Sequence, residues 1–299
     1  MLGILLASAG AETQPAGAAQ FLGPQAVNDL PSSPVDRRIR YGEEPEQFGD
    51  LRLPPAASGR VPVAVVIHGG CWKAHHGSIV ADLGNTAPLA SALTALGIAT
   101  WNIEYRRIDN GGGWPGTFDD VANGVEYLRV LAQSYPLDLS RVVIVGHSAG
   151  GHLGTWVAAR RRLPGDSRFF SADALRVRGV VNLAGPADLE KFFETQVGAC
   201  GDPVITRLMG GSPHEVPDRY RSASPSHLLP IGVRQIVVTG AHDPIVPPTF
   251  GQTYQEAARA HGDDVTALVV PDAAHFEVIA PGSKAWPVVR DAVLSILGR

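Results

Sequence analysis

The chain has 299 residues, enough for one large α/β domain or two small ones, and its 44 % hydrophobic and 18 % charged residues are ordinary for a folded globular protein. The formal net charge is −4 and no predicted face gathers lysines or arginines, so we predict no nucleic-acid partner. The 34 glycines and 24 prolines are both above average and indicate many tight turns and loops.

The N-terminal segment, residues 1–34, is rich in Ala, Gly and Pro and predicts a disordered tail. Its apolar start, Met1–Leu6, is too short to span a bilayer and lacks the Lys or Arg that begins a signal peptide, so we expect no membrane anchor. Ala16–Ala18 offers a small-residue cleavage site, which makes a signal remnant the alternative. A tail favours a cytoplasmic protein and a signal remnant an exported one, and the sequence leaves the compartment open.

The next segments first alternate polar and apolar residues and then form continuous apolar runs. Residues 38–41 and 48–53 alternate, which predicts two antiparallel edge strands. The continuous runs, typical of strands buried on both faces of a parallel sheet, are residues 63–67, 98–103, 142–145, 180–183, 235–238 and 266–270. Helical periodicity covers residues 86–96, 118–134, 149–162, 250–261 and 285–297.

This alternation of strands and helices predicts an α/β fold in a single domain, residues 35–299. We expect a mostly parallel central sheet, antiparallel edge strands at its N-terminal side, and helices on both faces. One irregular insertion, about residues 188–230, is rich in Gly, Pro and Ser and has a helical piece near Val204–Met209. We interpret the insertion as a small cap, and a surface excursion is the alternative.

The segment Gly146–Gly150 reads Gly-His-Ser-Ala-Gly and lies between an apolar run and the start of a helix, the context of a G-x-S-x-G nucleophile elbow. Such a turn holds the serine backbone in a strained conformation and exposes Oγ at the edge of the sheet. Small residues two positions before and after the serine make the turn sterically feasible. The motif predicts that Ser148 is a nucleophile.

A serine nucleophile needs a base to take its proton and an acid to orient that base. Asp243 lies just beyond the run 235–238 and is the predicted acid, and His275 lies in the loop after the last strand and is the predicted base. Of the 10 histidines, His275 alone satisfies both chain order and placement at a strand end. Asp272 is the rival acid, although it would share one loop with His275. His147 is expected to point away from the serine hydroxyl.

The loop after the run 63–67 reads His-Gly-Gly-Cys-Trp, residues 68–72. Two glycines let the backbone approach a substrate and direct its amides inward, and a Gly-Gly turn without a chemical role is the alternative. His68 is expected to brace this loop by hydrogen bonding. The predicted oxyanion donors are the backbone N–H groups of Gly69, Gly70, Cys71 and Ala149.

The two cysteines, Cys71 and Cys200, both follow predicted strands. They either form a disulfide or remain reduced and buried, and the sequence leaves this open. His75 and His76 are adjacent, so they face different ways on any regular element, and the chain has no H-E-x-x-H motif. We therefore predict no metal site and no cofactor.

With these motifs placed, the chain from about Arg38 to its end resembles the α/β-hydrolase superfamily of esterases and lipases. The loop 68–72 and the segments 104–107 and 112–116 are similar to the branch of kynurenine formamidases and bacterial feruloyl-esterase-like proteins. The resemblance implies an α/β-hydrolase fold and acyl transfer to water through an acyl-enzyme on Ser148. It does not fix the acyl group or the leaving group.

The first functional hypothesis is a cofactor-independent carboxylesterase that acts on small or aryl esters. An arylformamidase, which would use the same residues on an N-formyl amide, is the alternative, followed by a peptidase and by a non-catalytic ligand-binding protein on the same fold. The expected partner is a small-molecule ester or formamide, and the oligomeric state stays open. The aromatic residues expected to line an apolar substrate pocket are Trp72, Trp114 and Phe276.

Overall fold

The computed structural model describes residues 21–55, 59–76 and 79–299 of the chain. Its strands are β1 (Arg37–Arg40), β2 (Phe48–Arg52), β3 (Val61–Ile67), β4 (His75–His76), β5 (Ile79–Val80), β6 (Ala99–Ile103), β7 (Leu137–His147), β8 (Gly179–Leu183), β9 (Arg234–Gly240) and β10 (Val265–Val270). Eight of these strands form one sheet in the order β1-β2-β6-β3-β7-β8-β9-β10, and β4 pairs with β5 in a separate ribbon.

The α-helices of the described residues are α1 (Pro24–Asn28), α2 (Ala87–Ala95), α3 (Gly116–Glu126), α4 (Leu128–Ser134), α5 (Ala149–Ala159), α6 (Leu189–Cys200), α7 (Val204–Met209), α8 (Pro217–Ala223), α9 (Pro248–Ala260) and α10 (Trp286–Leu297). Short 3-10 helices cover Leu83–Thr86, Arg160–Arg162, Pro225–Leu228 and Glu277–Ile279. Among these helices, none is both long and apolar enough to cross a membrane.

The strand pairing confirms the predicted fold class. β1 with β2 and β2 with β6 are antiparallel, and every other neighbouring pair of the eight-stranded sheet is parallel. β3 shows why its run is apolar throughout: Val63, Val65 and Ile67 belong to the core on one face, and Ala64 and Val66 to the core on the other. Successive side chains of a strand point to opposite faces, so a strand covered by helices on both sides favours apolar residues at every position.

The predicted helix over residues 118–134 is in fact two helices, α3 and α4. The junction is at Tyr127, whose backbone N–H donates to the carbonyls of Asn123 and Val125. The apolar period continues through this junction, since Val125, Leu128 and Leu131 are all buried. Periodicity alone therefore does not reveal the interruption.

Residues 21–34 differ from the predicted disordered tail. α1 begins at Pro24, whose fixed φ suits the first position of a helix, and Val27 is fully buried. Asn85 Nδ2 donates to Asn28 Oδ1 at 2.8 Å, which attaches the helix to the body. The prediction is wrong here because one buried valine and a few polar contacts order a segment whose composition suggests a tail. Residues 1–20, with the signal remnant alternative, lie outside the described residues.

The insertion between β8 and β9 contains α6, α7 and α8. The predicted helical piece is α7, with the same bounds, whereas α6 was not predicted. Asp188 caps α6, because its carboxylate accepts from the backbone N–H groups of Glu190 and Lys191, both at 3.1 Å. A disulfide joins Cys200, the last residue of α6, to Cys71 across a Cα–Cα distance of 6.0 Å. This bond attaches the insertion to the loop after β3.

Candidate active site

Ser148 lies at a sharp turn between β7 and α5. Its backbone has φ 53° and ψ −120°, a conformation that side chains rarely adopt, and its N–H donates to Leu183 O at 2.8 Å. A Cβ at position 146 would meet Gly150 O at 2.1 Å, and one at position 150 would meet Ile67 O at 2.1 Å. Only glycine fits at these two places, which explains the spacing of the motif.

Asp243 and His275 come together although 32 residues separate them. His275 Nδ1–H donates to Asp243 Oδ2 at 2.7 Å, and both side chains are buried. Asp243 Oδ1 accepts from the backbone N–H groups of Ile245 and Val246, at 2.8 and 2.9 Å. These bonds hold the carboxylate in place and fix the proton of the imidazole on Nδ1, which leaves Nε2 without a proton, as the predicted base requires. The rival acid Asp272 is instead exposed and pairs with Lys284.

The loop after β3 has a strained backbone. Gly70, Cys71 and Trp72 have φ values of 111°, 52° and 54°. A Cβ on Gly69 would lie 2.9 Å from Ser148 Cβ, so this backbone passes directly beside the serine. Ala149, on the other side, is the first residue of α5, where backbone N–H groups have no partner within the helix. The predicted oxyanion donors thus flank Ser148.

A buried carboxylate supports the same loop. His68 Nδ1–H donates to Gly69 O at 2.8 Å, and His68 Nε2 bonds with Glu104 Oε1 at 2.9 Å, as expected of a bracing histidine. Arg107 Nη1 lies 3.2 Å from the same oxygen. Burial alone raises the pKa of the Glu104 carboxyl, but His68, Arg107 and the backbone N–H of Tyr105 outweigh it and lower that pKa below its ordinary value. Glu104 is therefore a buried anion behind the loop.

Tyr105 adds a second contact to this support. Its hydroxyl donates to His68 O at 2.8 Å, and the two rings stack with centroids 4.4 Å apart. Sequence reasoning noted the segment 104–107 only as a resemblance and missed this role. The signal available was an acidic residue directly after the buried strand β6, next to β3 in the sheet.

His147, expected to point away from the serine hydroxyl, bonds to the loop after β10. Its Nε2–H donates to the backbone carbonyl of His275 at 3.0 Å, and its ring lies beside that of His275. Burial, then the nearby His275, lower its pKa well below the ordinary value. His147 is thus a neutral side chain that holds the loop carrying the predicted base.

Ser148 and His275 line one cavity of about 70 Å³. Gly69, Gly70 and Cys71, the predicted oxyanion donors, also line it, as does Phe276. The remaining lining residues, which sequence reasoning missed, are Pro24, Ala81, Asn85, His147, Ala199 and Ile245. They come from loops and segments far apart in the chain, so no local pattern marks them.

Of the three aromatic residues expected at the pocket, only Phe276 belongs to the cavity lining formed by the described residues. Trp72 is 1 % exposed and packs edge-on against His152 and Phe192. Trp114 packs against Phe118 and Phe169, with ring centroids 5.1 and 5.0 Å away. The expectation is wrong for both tryptophans, because their large rings bury more apolar surface in the core than at a small cavity.

His75 is an exposed residue of the short β4–β5 ribbon. The side chain of His76 lies outside the described residues. In the described part of the chain, no group of three or more His, Cys, Asp or Glu side chains is arranged to hold a metal ion.

The sequence model of the BD-FAE family matches residues 50–257, which include the nucleophile elbow and Asp243. Esterase LipC of Mycobacterium tuberculosis (strain ATCC 25618 / H37Rv) is 24 % identical over 262 residues, 86 % of this chain and 64 % of LipC. Esterase LipQ of the same strain is 26 % identical over 280 residues, 91 % of this chain and 62 % of LipQ. The chain therefore spans less than two thirds of the length of these relatives.

Among solved structures, the fold matches that of a phosphonate-inhibited esterase B from Lactobacillus rhamnosis. The TM-score is 0.73 at 20 % identity, and the match covers 92 % of this chain and 88 % of that one. At this identity the likeness concerns the fold alone. The central sheet, its helices and the order of its strands are thus those of an α/β-hydrolase.

Proposed function

Because the chain belongs to the BD-FAE family, we propose that it is a serine hydrolase that cleaves small or aryl carboxylic esters. Ser148 is the nucleophile, His275 is the general base and then the general acid, and Asp243 orients His275. The observation that carries the proposal is the 2.7 Å bond between His275 and Asp243 at a cavity that Ser148 also lines.

In the first step, His275 Nε2 takes the proton of Ser148 Oγ while the oxygen attacks the ester carbonyl. The carbonyl oxygen becomes an anion, which the backbone N–H groups of Ala149 and of Gly70 or Cys71 stabilise. When the tetrahedral intermediate collapses, His275 returns the proton to the departing alcohol, and Ser148 keeps the acyl group. Water then repeats the sequence with the same base and releases the acid.

Two features support a carboxylic ester as the substrate. LipC and LipQ are both named esterases, and the cavity beside Ser148 presents mostly apolar groups such as Pro24, Ile245 and Phe276. The arrangement needs no cofactor, because every group that the reaction uses is a side chain or a backbone amide. An N-formyl amide would be attacked by the same residues, and it is the competing substrate that the assay must include.

The test combines a covalent probe with two substrates. A fluorophosphonate probe is expected to label the wild type and the control Ser140→Ala, which alters an exposed serine, and to leave Ser148→Ala unlabelled. The wild type is expected to hydrolyse p-nitrophenyl acetate with a higher kcat/KM than N-formylkynurenine. A folded protein that is never labelled, or one that strongly prefers the formamide, would overturn the proposal.

A further inference from the structure

The N-terminal segment 21–28 lies outside residues 50–257, which match the family, yet it reaches the catalytic cavity. Pro24, the first residue of α1, lines the cavity together with Ser148 and the oxyanion loop. We propose that this segment is the wall that sets the size of the substrate group bound beside Ser148, with Pro24 as the specificity-determining residue. The inference rests on the proposed function and names the class of ester, one with a short chain.

The segment is attached to the body on both sides of Pro24. On one side, the Leu22 backbone N–H donates to Glu277 Oε1 at 2.5 Å, and the Phe21 ring stacks on His242 with centroids 5.0 Å apart. On the other side, Val27 is fully buried and Asn85 Nδ2 donates to Asn28 Oδ1 at 2.8 Å.

Pro24 itself is also fixed. Asn85 Nδ2 lies 3.4 Å from Pro24 O, and Asn85 is a lining residue of the same cavity. A proline has a locked φ and no free rotation of its side chain, so a ring held at its backbone carbonyl presents a rigid surface. A rigid wall distinguishes substrate groups by size better than a flexible side chain, which could change its rotamer to admit a larger group.

Glu277 connects this wall to the catalytic loop. The residue is 6 % exposed, and while Oε1 accepts from the backbone N–H of Leu22, Oε2 accepts from the backbone N–H of Ala274 at 2.8 Å. Ala274 directly precedes His275. One buried carboxylate therefore fixes the N-terminal wall and the predicted base relative to each other, which makes Glu277 a positioning residue.

The size of the cavity indicates the class of substrate. An apolar cavity of about 150 Å³ accommodates benzene, whereas this cavity is about 70 Å³. Acetyl or propionyl groups match that space, and longer acyl chains would meet Pro24 and its neighbours. Each methylene that a pocket rejects or accepts changes kcat/KM by about tenfold or more.

The test compares p-nitrophenyl acetate, butyrate and hexanoate, and a second series of acetate esters with larger alcohols. The wild type is expected to prefer acetate. Pro24→Ala removes two ring carbons from the wall, and we expect it to raise the butyrate-to-acetate ratio of kcat/KM, or the matching ratio of the alcohol series, by about tenfold. The matched control is Pro31→Ala, which changes an exposed proline three residues beyond the segment and is expected to leave both ratios unchanged.

Glu277→Gln provides a second variant. An amide has one accepting oxygen, so it keeps at most one of the two backbone bonds of the carboxylate. We expect the size preference to relax as in Pro24→Ala, with an additional loss in kcat because Ala274 is released. If both variants hydrolyse esters with the wild-type size preference in both series, the wall inference is overturned and the proposed function stands. If the wild type hydrolyses no ester in either series, the wall inference and the proposed function are both overturned.

Discussion

The loop after β3 and the loop after β10 meet at the same cavity but are held by different means. In the first, Gly70, Cys71 and Trp72 have positive φ, and the support is a disulfide and the buried anion Glu104. In the second, residues 271–279, no φ is positive, and the support is hydrogen bonds to Asp243 and Glu277.

The difference follows from what each loop is proposed to present. The loop after β3 is proposed to direct consecutive backbone amides at one point through unusual torsions, and such strain persists only where the surroundings fix it. An imidazole needs a single oriented ring, which one carboxylate can provide from an ordinary backbone. Substitutions that remove the supports of the two loops in turn test this difference.

The largest effect is expected at the second loop, from Asp243→Asn. The amide cannot stabilise the charged imidazole, and it disfavours the proton on Nδ1, so we expect kcat to fall by about 10⁴ while the fold is kept. Asp272→Asn, which changes the rival acid, is the matched control and should keep wild-type activity. Steady-state kinetics on p-nitrophenyl acetate measure both, and a fully active Asp243→Asn would show that the acid is misassigned.

Loss of the disulfide should have the next largest effect. The bond closes a loop with a sequence separation of 129 residues, and for a loop of that length its removal costs about 4 to 5 kcal/mol in the free energy of unfolding. Urea unfolding of the double variant Cys71→Ser with Cys200→Ser measures this cost. A reductant should destabilise the wild type and leave the double variant unchanged. Equal stability of the two proteins would mean that the bond contributes nothing.

Glu104→Gln tests the buried anion behind the first loop. The amide leaves His68 without its charged partner and Arg107 with Glu46 alone, and breaking a buried ion pair costs about 3 kcal/mol. We expect kcat to fall as well, since the strained loop loses its support. Glu44→Gln removes an exposed carboxylate that pairs with Arg106 and should change stability by less than about 0.5 kcal/mol. Equal effects of the two variants would contradict the assigned role.

The smallest effect concerns His152, which packs against Trp72 at the first loop. Burial lowers its pKa to about 4, from 6.5. The unfolded chain therefore binds more protons between these values, so His152 stabilises the fold above pH 6.5 and this contribution is lost as the pH falls towards 4. On acidification, the free energy of unfolding should therefore fall less in His152→Gln than in the wild type. The difference between the two losses should be about 3 kcal/mol at most.

Urea unfolding of the wild type and His152→Gln at several pH values between 7 and 4 measures this effect. His214→Gln, which changes an exposed histidine, should follow the wild-type curve. If the free energy of unfolding depends on pH in the same way for all three proteins, protonation of His152 does not destabilise the fold.

Much of the fold and the arrangement of the candidate site follow from local sequence. The apolar runs predicted the parallel strands because a strand buried on both faces favours apolar residues at every position. The motif around Ser148 could be identified in the sequence because Gly146 and Gly150 are sterically required there. The predicted acid and base could be placed together because loops at the carboxyl ends of parallel strands lie at one edge of a sheet.

Tertiary structure alone decided what surrounds that site. The disulfide, the place of Glu104 behind the loop after β3, and the packing of Trp72 and Trp114 depend on contacts between residues distant in the chain. Pro24 is the clearest case, since the composition around it suggests a tail and only the packing of Val27 and the bonds of Asn85 bring it to the cavity. A local pattern encodes the torsions and periodicity of its own segment. The shape of a cavity depends instead on several segments that come into contact only when the chain folds.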